Sequence, residues 1–88
     1  MGEFGNAPPR YPPLSLRKRE QGTVRLRVVI DLAGRVRDIA VAVSSGFDRL
    51  DRAALDGVRG WRFHPGMAEG RPVDGAVGFL NYTFALRG

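Results

Sequence analysis

Polar and apolar residues alternate from Thr23 to Asp31. Val24, Leu26, Val28 and Ile30 fall on one face, and Thr23, Arg25, Arg27 and Asp31 on the other. This period of two predicts a half-buried strand, with Val29 the one apolar residue on the polar face. Asp31-Leu32-Ala33-Gly34 then reads as a turn. An aspartate there can accept from backbone N–H groups just downstream, and glycine supplies a positive φ. Val36 to Val43 predicts a second strand, with Ile39, Val41 and Val43 on one face. So short a connection makes the two strands an antiparallel hairpin.

Ser44-Ser45-Gly46 breaks the alternation, and the period changes. Leu50, Ala54, Val58 and Trp61 recur at helical spacing across 48–60, with Leu55 beside them. Asp48 is placed to cap this helix, and Asp51 suits its first turn. Gly57 and Gly60 each weaken a helix by roughly 1 kcal/mol relative to alanine, which a close approach of helix to sheet would explain. Residues 62–76, with two prolines and three glycines, are expected to form a long loop. Val77 to Leu86 predicts the third strand. Leu80, Tyr82, Phe84 and Leu86 share one face, and Phe79, Asn81, Thr83 and Ala85 the other.

Upstream, Pro8-Pro9 and Pro12-Pro13 exclude helix interior and favour an extended, polyproline-like lead-in. Leu14 to Gln21 can form two helical turns, anchored by Leu14 and Leu16 and ended by Gly22. The helical crossover favours a parallel, right-handed relation between the second and third strands. Placing the third strand beside the first satisfies this and the antiparallel hairpin together. The expected fold is therefore α+β: a three-stranded antiparallel or mixed sheet in the order second-first-third, with a helix on one face. A short N-terminal helix and the proline-rich lead-in complete it, and the third strand is an open edge.

The chain has 88 residues, enough for one small domain with a thin core. Residues 8–88 are read as that domain, and 1–7 as a flexible lead-in whose Met1-Gly2-Glu3-Phe4 resembles a cloning remnant. Without cysteine there is neither disulfide nor thiolate site. No apolar run approaches the ~20 residues of a spanning helix. His64 is the only histidine and precedes Pro65, so no metal set or catalytic triad is legible, and neither an enzyme nor a cofactor is expected. Net charge is +5, from 13 arginines and one lysine against 9 acids. The only basic cluster is Arg17-Lys18-Arg19, followed by Arg25 and Arg27. A small basic nucleic-acid-binding domain, stacking bases on Phe79 and Phe63, is the alternative from another class. Peptide binding fits better, because Val77–Leu86 carries no charge or proline to blunt an open edge.

The ordered motifs resemble one family. Tyr11-Pro12, Gly22-Thr23-Val24, Gly34-Arg35-Val36, Ser44-Ser45-Gly46, Leu50-Asp51-Arg52-Ala53-Ala54, Trp61-Arg62-Phe63-x-Pro65 and Gly70-x-Pro72-Val73, closed by an apolar strand, look like the TonB C-terminal domain. The resemblance covers nearly the whole chain. It implies a periplasmic domain of an inner-membrane-anchored energy transducer that works with ExbB and ExbD. By the same resemblance, the domain would grip the TonB box of outer-membrane transporters by strand addition, coupling the proton-motive force to uptake of siderophore- or haem-type nutrients. No nucleic acid is involved in that role, and a homodimer is possible. The implied partner-binding residues are Tyr11, Pro12, Val77, Phe79, Leu80, Asn81, Tyr82, Thr83 and Ala85. The family's polar and basic positions flanking the Tyr-Pro pair are Pro8 and Leu14 here, so Arg10 and Arg17 are the expected rim contacts in their place.

Overall fold

The computed structural model describes residues 5–87. Strand β1 (Gly22–Ile30) lies at the centre of a three-stranded sheet between β2 (Val36–Val43) and a long C-terminal strand, β5 (Ala76–Phe84). Both pairings are antiparallel, so β2 and β5 run parallel to each other, as the crossover rule requires. Helix α2 (Asp48–Arg59) packs on β1 and β2. Helix α1 (Pro13–Arg17) precedes the sheet. No helix among the described residues is long and apolar enough to cross a membrane.

The alternation of β1 and the spacing of α2 produce the core. Val24, Leu26, Val28 and Ile30 meet Leu50, Ala54 and Val58, and Trp61, Phe63 and Phe84 close the ends. The hairpin turn forms as expected. Asp31 Oδ1 accepts from the N–H groups of Ala33 and Arg35, both at 2.9 Å, and Gly34 takes φ +79°.

Five local expectations are corrected. Val43 does not share a face with Ile39 and Val41. A bulge skips Ala42, so Val43 pairs with Arg25 and stands on the open face of the sheet. The 62–76 loop contains a hairpin of β3 (Gly66–Ala68) and β4 (Arg71–Val73). Its two-residue turn, Glu69-Gly70, has positive φ at both positions. Strand β5 ends at Phe84 rather than Leu86, because β1 begins opposite it at Gly22 and offers no further partner. Beyond that point Leu86 N–H donates to the Gln21 side chain. Phe47, not Asp48, is the N-cap of α2, and it makes no side-chain cap bond. Gly57 admits Pro9 of the lead-in rather than the sheet; a Cβ there would stand 2.7 Å from the Pro9 Cα.

The first helix differs most in how it is anchored. It is a single turn, and Leu14 and Leu16 are exposed. The buried residue is Ser15, whose hydroxyl donates to Glu20 Oε1 at 2.8 Å. Arg49 of α2 holds the other Glu20 oxygen at 3.1 Å. A polar network spanning three segments therefore fixes α1, and Arg19 ends the helix at φ +56°.

Candidate functional site

The two outer edges of the sheet differ. β2 is bulged twice and carries Arg37 and Asp38, which are devices that discourage further pairing. β5 pairs with β1 in unbroken register over nine residues and bears no charge and no proline. Among the described residues no strand pairs with its outer side.

Because α2 covers β1 and β2, the core-side face of β5 is left to other segments. Leu80 and Tyr82 are only partly buried there. Asn6, Pro8, Trp61 and Phe63 form the opposite wall of a groove of about 440 Å³ whose floor is Phe79 to Tyr82. A second hollow of about 250 Å³ continues along the start of β5, between His64–Gly66 and Ala76–Gly78. The groove and the free edge are therefore one feature, and an added strand would lie along both.

The lead-in is built into this wall. Trp61 Nε1 donates to the Ala7 carbonyl at 2.7 Å, and Asn6 exchanges two 2.9 Å bonds with the Arg62 backbone. Met1–Phe4 of the expected remnant lie outside the described residues. Replacing Gly57 by valine is expected to lift Pro9 away and loosen Asn6–Pro12 while the sheet stays folded. Amide exchange rising in 6–12 but not in β1 would show this.

The expected site residues separate into groups. Val77, Phe79, Asn81 and Thr83 stand on the open side of β5, Phe79 and Asn81 also lining the groove; Leu80 and Tyr82 alternate with them on the core side and line it too. Ala85 lies one residue past the strand. Tyr11 is committed inside the domain. Its ring meets Phe84 edge-on at 5.2 Å, and its hydroxyl donates to the Glu20 carbonyl. Pro12 is the N-cap of α1. Arg10 lines a different groove, between the lead-in and α2, and Arg17 is exposed at the end of α1. Of the two aromatics considered for base stacking, Phe63 is 2% exposed and belongs to the core. Sequence reading missed Asn6 and Pro8 as groove wall, and nothing local marks them. Helical spacing put Trp61 on one apolar stripe with Leu50, Ala54 and Val58; it lies in the core with them and also lines the groove.

Three carboxylates are held below their ordinary range. The Arg49 guanidinium and the Ser15 hydroxyl do this for Glu20, and the Arg35 and Ala33 N–H groups for Asp31. Burial pushes Asp51 up, but the hydroxyls of Ser44 and Ser45 and the Ser45 N–H outweigh it. A pKa lower in the folded than in the unfolded chain adds stability that is complete above the unfolded value. That stability disappears as pH falls through the folded value. The melting temperature is therefore expected to be level from pH 8 to about 5 and to drop steadily below about 4. Asp51→Asn should lower the plateau and shallow the drop in circular-dichroism melts. Among the described residues no group of three or more His, Cys, Asp or Glu is placed to hold a metal.

The family model described as the Gram-negative bacterial TonB protein C-terminal matches residues 7–86. A Protein TonB of Xanthomonas campestris pv. campestris is 41% identical over 70 residues, covering 80% of this chain and 31% of that protein. Protein tonB2 of Pseudomonas aeruginosa is 40% identical over 76 residues, covering 86% of this chain and 28% of that protein. The chain thus spans less than a third of these relatives. In fold, it aligns with the solved structure of the TonB2 protein of Vibrio anguillarum with a TM-score of 0.69. That alignment has 24% identity and covers 100% of this chain and 92% of the other.

Proposed function

Since the chain belongs to the family of Gram-negative bacterial TonB protein C-terminal domains, we propose that it is the partner-gripping domain of a TonB-type energy transducer. It acts in the periplasm and takes the TonB box of an outer-membrane transporter as a fourth strand on β5. Segments outside this chain tether it to the inner membrane and to ExbB and ExbD. Force on the added strand then opens the transporter to its scarce nutrient.

The observation that carries the proposal is the outer edge of β5: nine uncharged residues in regular register, with no strand on their outer side among the described residues, and flanked by a groove. Each backbone hydrogen bond contributes only about 0.5–1.5 kcal/mol net, so binding is reversible. A strand loaded in shear nevertheless strains several such bonds at once, which suits a domain that must grip and let go. The same edge can pair two copies of the domain, and that homodimer competes with the partner. Such a grip involves no covalent chemistry.

A backbone-amide NMR titration with a TonB-box peptide tests the proposal. Shifts should concentrate in Ala76–Phe84 and reach the Trp61 indole and Asn6. Absence of peptide shifts, beside salt-sensitive shifts at Arg17–Arg27 with a single-stranded oligonucleotide, would replace it with nucleic-acid binding.

A further inference from the structure

The two arginines on the open face of β1 lean in opposite directions. Arg27 reaches towards β2 and finds a carboxylate there, Asp38, at 3.7 Å. Arg25 reaches the other way, and its guanidinium lies 4.8 Å from the centre of the Phe79 ring on β5. Strand β5 contains no carboxylate, and among the described residues Arg25 forms no ion pair. Neighbouring strands lie about 4.8 Å apart, so a strand added outside β5 runs roughly 10 Å from β1. By lying over Phe79, which is 48% exposed, the Arg25 guanidinium is turned towards β5 and its outer edge rather than towards β2.

We propose that Arg25, supported on Phe79, selects an acidic residue on the open-face side of the incoming strand. This rests on the strand-addition reading above. Side chains of the added strand alternate. Those of one phase face the apolar groove of Pro8, Trp61, Leu80 and Tyr82. Those of the other phase lie beside Phe79, Asn81 and Thr83 of the uncharged β5, and the nearest charge on that face without an ion-pair partner among the described residues is Arg25 of β1. The partner is therefore an extended segment with apolar residues in one phase and an aspartate or glutamate in the other. Thr23 and Thr83 are hydrogen-bonded to each other at 2.8 Å, which leaves the selective contact to Arg25.

Dye-labelled seven-residue peptides of alternating valine and threonine test this by fluorescence anisotropy at low salt. Aspartate, or asparagine as its uncharged twin, replaces each threonine in turn. At one position the aspartate peptide should bind up to about fivefold tighter than its twin, the upper end of the range of an exposed ion pair. The preference should vanish with Arg25→Gln, persist with Arg27→Gln, and fade in half-molar salt. If the preference is absent at every position, or survives Arg25→Gln, the acidic selection is overturned. Strand addition would still stand if the threonine parent shifts the β5 amides. If no peptide of the series shifts those amides, strand addition itself fails, and the selection with it.

Discussion

Replacing Trp61 by alanine is expected to cost about 3–5 kcal/mol and to leave the domain largely unfolded near physiological temperature. The indole is 9% exposed, rests against Phe63 with ring centres 6.0 Å apart, and closes the end of the core beyond α2. Few neighbours can move into the space, because one side is the backbone of the lead-in. In a domain of this size the loss corresponds to roughly 15–30 °C in melting temperature. Trp61→Phe separates the two roles of the residue. It keeps most of the packing but removes the N–H bond to Ala7, so about 1 kcal/mol should be lost. The lead-in should then exchange faster while the sheet remains protected. If Trp61→Ala melts like the parent protein but no longer binds peptide, the residue is a groove wall rather than a core support.

The second large effect is expected from Gly34→Ala. Gly34 has φ +79°, and a Cβ there would stand 1.9 Å from the Phe63 carbonyl oxygen. That contact is with backbone, and no side chain can rotate away to relieve it. The Phe63 N–H bond to the Gly34 carbonyl, 2.8 Å long, and the Arg35–Arg62 bridge would have to separate. A left-handed conformation costs an L-residue about 1–2 kcal/mol by itself, and the displaced chain raises the total to about 3 kcal/mol or more. Gly70→Ala supplies the contrast. Gly70 has nearly the same φ, +76°, but nothing lies within 4 Å of its Cβ position, so only the conformational part applies. Urea unfolding of the two variants should therefore differ by about 2 kcal/mol. Equal losses would show that the contact between the turn and Phe63 contributes little.

Trp61 and Gly34 hold the 60–63 segment in place, and that segment links the fold to the proposed site. It carries Trp61 and Phe63 from the end of α2 across the mouth of the core. There they fill the end of the core and form the wall facing β5. Destabilising this segment should weaken partner binding even where β5 itself is unchanged.

Periodicity alone determined β1 and α2, because their burial follows one repeat each: two for Val24 to Ile30, nearly four for Leu50 to Val58. The hairpin turn was legible because Asp31 and Gly34 each have a local reason to be there. Strand order followed from chain connectivity, and the accessible edge from the absence of charge over Val77–Leu86. Local patterns could not show the rest. The bulge at Ala42 reverses Val43 through the pairing geometry of β1 and β2. Glu20 is placed by Arg49, 29 residues away, and Gly57 is explained by Pro9, 48 residues upstream. The groove exists because α2 covers only two of the three strands, leaving distant segments to wall the third. Periodicity records which face of an element is buried. Only the tertiary structure decides what covers that face, because covering depends on contacts between residues far apart in the chain.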